Sequence, residues 1–266
     1  MTTTRDLLTR GELSVVGRLT TASNATLVCD AELDGTRIRC VYKPIRGERP
    51  LWDFPDGSLA GREVASFRVS EALGWSVVPL TVLRDGPFGT GMVQQWIDGR
   101  EPDDDRLDLV DLCPVDAVAD GMLPVLRAYD ADGEPVALVH ADDGRLQRMA
   151  VFDAIINNAD RKGGHIIETP DGHVYGVDHG ICLHTDDKLR TVLWGWAGKP
   201  VPPELLADMR GLSARLGRPD DALVRGLGEL ISAAEVAALG ERARDLVAHG
   251  RMPMPGLGHP IPWPPF

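Results

Sequence analysis

Two aspartates set in polar turns, Asp160 and Asp178, are the side chains of this sequence best placed for chemistry. The first lies in Asn157-Asn158-Ala159-Asp160-Arg161-Lys162-Gly163-Gly164-His165, where an apolar run gives way to a glycine-containing loop. The second lies in Gly176-Val177-Asp178-His179-Gly180. A carboxylate in such a turn orients a hydroxyl, takes its proton, or holds a divalent cation. Close to the first, His165 offers an imidazole and Lys162 an ammonium that faces phosphate or solvent. Arg161 beside an acid reads as a structural pair. His165, His173, Asp178, His179 and His184 are residue types that permit a hydrolytic zinc site. Strand alternation sends His173 and its neighbours in different directions, and no closed ligand spacing is present, so zinc is the weaker reading.

The elements that must position these groups are legible from periodicity. Leu146, Met149, Ala150, Asp153 and Ile156 recur at helical spacing and predict a helix over 145–157. Two short strands around Pro170-Asp171-Gly172 lead into Asp178. Upstream, residues 11–43 read as strands. Alternating residues 26–33 and 37–43 flank Asp34-Gly35, a two-residue hairpin signal, and the returning strand ends in Lys43. Ser58 opens a helix that Gly74 closes, with Glu63, Phe67 and Ser70 near one face. Strands are expected over 77–83 and 91–97, and a helical region within 114–128. Pro202-Pro203-Glu204 starts a helix to about Leu216, residues 220–230 form another, and Ser232-Ala233-Ala234-Glu235 is a capping box opening a third to about His249.

The order of these pieces resembles the protein-kinase-like superfamily. It resembles the branch holding the phosphoinositide 3- and 4-kinases and the HipA-like kinases, and more closely a group of actinobacterial phosphatidylinositol-kinase-like proteins. The resemblance spans about residues 15–250 and is strongest from Asn157 to Gly180. It implies an α+β, two-lobed fold: a mostly β N-terminal lobe over 1–98, a mostly helical catalytic lobe over 99–250, and a proline-rich tail over 251–266. It implies ATP between the lobes with Mg²⁺ or Mn²⁺, and transfer of the γ-phosphate to a hydroxyl of a protein, lipid or small molecule.

Under that resemblance Asp160 is the catalytic aspartate. Lys43 reaches the α and β phosphates, Glu63 holds Lys43, and Asp178 carries metal. Ser23 and Asn24 offer donors to phosphate, although no GxGxxG is present. Gln94, Gln95, Trp96 and Ile97 resemble the hinge that receives adenine. Two departures stand out: His165 occupies the place of a metal-binding asparagine, and His179 that of a phenylalanine. His165 is then a metal ligand, better suited to Mn²⁺ than to Mg²⁺, or else a contact to phosphate or structure. The same departure supports an alternative, a nucleotide-binding regulator with little or no turnover.

A chain of 266 residues with 43% hydrophobic and 26% charged residues is long enough for a sizeable core. Its net charge of −12, with no basic run, argues against nucleic acid and against stable docking on anionic lipid. No apolar run is long enough to span a bilayer, the first residues do not read as a signal peptide, and the 4 cysteines lack paired spacing. A cytoplasmic protein with reduced thiols is expected. The acidic stretch Asp103-Asp104-Asp105 reads as a solvated loop or helix start rather than a metal site. The tail cannot be a regular helix. It is expected to lie extended over the body with Trp263 and Phe266 as anchors, and it also offers a site for a protein partner.

Overall fold

The structure, a computed structural model, describes residues 2–19, 24–101, 108–256 and 258–266. Ser23 and Asp103-Asp104-Asp105 lie outside the described residues. The chain opens with a short helix, α1 (Thr4–Arg10), that the sequence analysis did not anticipate. Its signal is a capping box. The Thr3 hydroxyl accepts from the Asp6 amide, and the Asp6 carboxylate accepts from the Thr3 amide. Leu7 and Leu8 are buried, and Leu8 joins a small core under the first sheet.

That sheet contains β1 (Glu12–Arg18), β2 (Leu27–Leu33), β3 (Thr36–Pro44), β4 (Thr81–Gly86) and β5 (Gly89–Gln95), in spatial order β1-β2-β3-β5-β4 and antiparallel throughout. Asp34 and Gly35 make the expected turn, with φ of 51° and 75°. The turn sets a register that places Cys29 opposite Cys40 and Ala31 opposite Ile38. Cys29, Ala31, Cys40 and Tyr42 are therefore buried together on one face. Lys43 emerges on the other.

Between β3 and β4 runs α2 (Leu59–Leu73), capped by the Ser58 hydroxyl and closed by Gly74 at φ 69°. It packs on β4 and β5 on one side and on the C-terminal helices on the other. This explains why charged Arg62 and Glu63 are both buried within it. Arg62 reaches the Glu235 carboxylate at 2.5 Å and the Cys182 carbonyl at 2.9 Å, tying the two halves of the molecule together.

A second antiparallel sheet follows: β6 (Val110–Pro114), β7 (Met122–Tyr129) and β8 (Pro135–Ala141), in order β6-β8-β7. This corrects the expectation of a helical region within 114–128. Pro124 would remove a hydrogen bond from a helix interior, but an edge strand tolerates it at the irregularity between Pro124 and Leu126. The Asp130–Gly133 turn then pairs β7 with the apolar β8.

The remaining elements are α3 (Gly144–Ile156), the hairpin β9 (Ile166–Glu168) and β10 (Val174–Gly176), and the helices α4 (Pro203–Leu216), α5 (Ala222–Gly228) and α6 (Ala233–His249). The capping box of α6 forms as expected between Ser232 and Glu235. The main core runs from α2 through Phe152 and Ile155 of α3 to Met209 and Leu239. The architecture is α+β, with a sheet-rich N-terminal half and a helical C-terminal half.

The tail crosses the body in extended form. The Pro260 carbonyl accepts from the Thr191 amide and the Trp194 indole, and the Pro265 carbonyl accepts from the Gly163 amide. Phe266 packs on Gly163, but Trp263 is 83% exposed and anchors nothing. Backbone carbonyls do the work expected of that indole. Among the described residues no helix is long and apolar enough to cross a membrane.

Candidate active site

The site is built around the end of α3. Asn157 closes this helix in the left-handed region, φ 53°, a conformation asparagine tolerates. Its amide donates to the carbonyls of His184 and Asp186 and its oxygen accepts from the Lys188 amide, so the segment after Asp178 is fastened to the helix end. Asn158 turns inward. It donates to Asp153 at 2.9 Å and accepts from the Asp160 amide at 3.0 Å. The backbone of the Asp160 loop is thus set by two asparagines, neither of which the sequence marks out for that role.

Arg161 is fully buried and holds the loop from below. Its guanidinium pairs with Asp153 of α3 at 2.9 Å and donates to the carbonyls of His165 and Val177. It also donates to His179 Nε2 at 2.6 Å. Burial and the adjacent guanidinium hold the His179 pKa well below its usual value, so the ring is a neutral acceptor. The His179 ring meets Phe152 edge-on. Gly176 leaves room for all of this, because a Cβ there would lie 2.8 Å from the Arg161 guanidinium.

Lys43, Glu63, Asp160, His165 and Asp178 converge. Lys43 Nζ lies 2.6 Å from Glu63 Oε1 and 2.7 Å from Asp178 Oδ1. The other Glu63 oxygen accepts from the His179 amide at 2.9 Å, so one buried carboxylate holds both the lysine and the turn that carries Asp178. Burial opposes the charge on Lys43, but the Asp178 and Glu63 carboxylates outweigh it and raise its pKa. Lys43 in turn holds the Asp178 carboxyl well below the usual carboxylate range. Burial pushes Glu63 up, with Lys43 opposing. Asp178 itself sits at φ 60°, a strained conformation for a residue other than glycine, and half of its side chain remains exposed to the cleft.

His165 is oriented for ligation. Its Nδ1 lies 2.9 Å from the Asp160 carbonyl, which can only accept, so Nδ1 carries the proton. Nε2 then presents a lone pair 3.6 Å from Asp178 Oδ2. Burial lowers the His165 pKa and keeps the ring neutral. The donor set fits a divalent ion held by one carboxylate oxygen and one imidazole. Among the described residues no group of three or more His, Cys, Asp or Glu could hold a metal, so any further ligands would come from substrate and water. Asp160 is mostly buried, with Lys162 Nζ 3.7 Å from its Oδ2. Burial pushes its carboxyl up to about 6, against the opposing pull of Lys162.

These groups line a cleft of about 410 Å³. Val41 of β3 and Ile167 and Val177 from the β9–β10 region give it apolar walls, and Gln94, Gln95, Trp96 and Ile97 line it at the end of β5. The Gln94 amide is bonded to Thr81, the backbone amides of Gln95 and Trp96 to Leu80 and Arg39, and the Trp96 indole to Asp98. Asn24 lies at the rim, where its oxygen accepts from the Arg49 amide. Val41 was accessible to sequence reasoning, since it shares a strand face with Lys43. Ile167 and Val177 needed the tertiary fold. The zinc alternative is not assembled: His173 bonds the Ser76 carbonyl, His179 faces Arg161, and His184 accepts from the Asp186 amide.

A sheet lysine paired to a helix glutamate, facing a loop aspartate and a turn aspartate across an interlobe cleft, has the layout of a protein-kinase-like fold. The structure of the Golgi casein kinase matches this chain with a TM-score of 0.52, covering 91% of this chain and 72% of that one at 14% identity. A Helicobacter pylori proinflammatory kinase, CtkA, is a more distant match, with a TM-score of 0.41, 10% identity and coverage of 92% and 94%. The fold is two-lobed and kinase-like. No family model matches the sequence. Protein Rv2133c of Mycobacterium tuberculosis is 56% identical over 265 residues, covering 98% of this chain and 94% of that protein, and the chain belongs to its family.

Proposed function

We propose that this chain is an ATP- and metal-dependent phosphotransferase that moves the γ-phosphoryl group to a hydroxyl. The observation that carries this reading is Lys43 held between Glu63 and Asp178, with Asp160 facing the same cleft. Lys43 acts as a fixed point charge on the α and β phosphates. Asp160 orients the acceptor hydroxyl and takes its proton. Asp178 and His165 would hold Mg²⁺ or Mn²⁺, which when bound neutralises charge on the phosphates. The apolar walls and the end of β5 receive the adenine.

The acceptor is a hydroxyl on a protein or a small molecule. A lipid acceptor, suggested by the resemblance to phosphatidylinositol-kinase-like proteins, is disfavoured by a net charge of −12 on the chain. Free cysteines that are mostly buried fit a reducing, cytoplasmic setting. One observation favours a second reading. His165 in place of the expected asparagine would suit a nucleotide-binding regulator that does not turn over.

Nucleotide binding and γ-phosphate transfer or release, measured for wild type and Asp178→Asn with Mg²⁺ and Mn²⁺ separately, separate these readings. Asparagine tolerates the backbone at 178, so the substitution tests the charge. Metal-dependent binding is expected to weaken about tenfold or more in the variant, in line with loss of a charged ligand, and turnover is expected to fall with it. An imidazole ligand predicts stronger support by Mn²⁺ than by Mg²⁺. Tight binding with no turnover in either metal, with protein, lipid and small-molecule acceptors all supplied, would establish the regulator. A wild type that binds no nucleotide would overturn both.

A further inference from the structure

The tail touches the catalytic loop directly. The Pro265 carbonyl accepts from the Gly163 amide at 2.8 Å, and the Phe266 ring lies so close to Gly163 that a Cβ there would overlap it. The backbone at 163 has no positive φ, so the ring is what excludes a side chain at this position. Gly163 begins the single 3-10 turn that ends at His165, and its amide would have no partner within that turn. The turn follows Asp160 and delivers His165.

A second contact reaches the same loop through residues 190–194. The Pro260 carbonyl accepts from the Thr191 amide at 3.0 Å and from the Trp194 indole at 2.8 Å. Thr191 is bridged to Arg161, whose amide and carbonyl bond Arg190 and Val192. The tail therefore grips Gly163 directly and Arg161 through residues 190–192. Phe266 borders a groove of about 350 Å³ that shares Gly164 and Ile167 with the nucleotide cleft. Gly163 lines this groove only, and Gly164 lies between it and the cleft that holds Asp160 and Asp178.

We propose that residues 260–266 form a strap and that Phe266 is a positioning residue for the catalytic loop. Through Gly163 the ring fixes the turn that orients Asp160 and His165. Transfer therefore depends on the tail, whereas metal-free nucleotide affinity, which rests mainly on Lys43 and the β5 end, does not. The role in transfer rests on the phosphotransferase reading; the hold on the loop does not.

The test compares wild type, Phe266→Ala, Gly163→Ala and the double variant. Amide hydrogen exchange is read at residues 163–165, ATP affinity by calorimetry without divalent metal, and γ-phosphate release or transfer with Mg²⁺ or Mn²⁺ in parallel. Phe266 is 46% exposed, so its truncation leaves the core intact. Exchange at Gly163 is expected to rise about tenfold or more in Phe266→Ala, and turnover to fall by a similar factor with ATP affinity within about twofold. Gly163→Ala evicts the ring and should reproduce this, and the double variant should be no worse than either single one. Unchanged exchange in Phe266→Ala, or effects that add in the double variant, would overturn the strap. A fall in ATP affinity as large as the fall in turnover would overturn its selective role. Should wild type bind no nucleotide, the phosphotransferase reading and the role in transfer fail together, and exchange alone decides whether the strap holds the loop.

Discussion

Asp160→Asn is expected to lower phosphoryl transfer by about a thousandfold while ATP affinity stays within about twofold. The Asn158 side chain fixes the backbone at 160, so an isosteric amide keeps the geometry and removes only the base. The wild-type rate should depend on pH in a way the variant does not. Burial pushes the Asp160 carboxyl up to about 6, so the ionised form is lost over a range where ordinary carboxylates remain charged. Below that value the rate should fall about tenfold per pH unit, and above it the rate should level off. Bound metal adds positive charge nearby and moves this limb to lower pH. A wild-type profile with no acid limb at any pH at which the protein stays folded, or a variant that retains more than about a tenth of the rate, would remove Asp160 from the role of base.

The same shift has a consequence for stability, with a fixed sign. Asp160 has a folded pKa raised from 3.8 to about 6, so the folded protein binds more protons than the unfolded chain within that window. Stability from this group is therefore greatest below 3.8, declines as pH rises through the window, and is constant above it. Removing the carboxylate should stabilise the metal-free protein at pH 7, by on the order of 1 kcal/mol given partial solvent screening. The gain should vanish below about pH 4. Thermal melts of wild type and Asp160→Asn at both pH values check it.

What was legible in the sequence was local. The Asp34-Gly35 turn, the Ser58 and Gly74 caps of α2, the periodicity of α3 and the capping box of α6 are each specified within a few residues of the feature itself. The pairing of Lys43 with Glu63 was reachable only through the resemblance to the kinase-like superfamily, since nothing local in a strand end or a helix face joins the two charges. Arg161 shows where this stops. It was expected to pair with a nearby acid, and its partner is Asp153, which the helix axis and the loop reversal bring beneath it. Asp153 reads in sequence as one more member of a helical face. The second sheet was missed because β7 carries a proline at an irregularity, and its strand character comes from pairing with β8. The proline content of the tail predicts an extended, draped segment, but its grip lies in the carbonyls of Pro260 and Pro265, which side-chain identity does not reveal.

Asp153→Ala is expected to cause the largest loss of stability of any single change considered. Arg161 and Asp153 are both wholly inaccessible to solvent, and removing one partner leaves an uncompensated buried charge. Such a change costs about 3–5 kcal/mol, or roughly 10 °C in melting temperature for a chain of this size. Asp153 also accepts from Asn158, which sets the Asp160 amide, so the variant should lose transfer even well below its melting temperature. A paired replacement separates the two effects. Asp153→Leu with Arg161→Met removes both charges, and buried ion pairs replaced by apolar residues are often neutral in stability. The melting temperature should return toward wild type. Transfer should not, because the guanidinium also holds the carbonyls of His165 and Val177 and the ring of His179. A double variant that regains both would mean that the buried pair only balances charge. Recovery of stability alone would identify Arg161 as the link that keeps the loop of Asp160 and the turn of Asp178 in register.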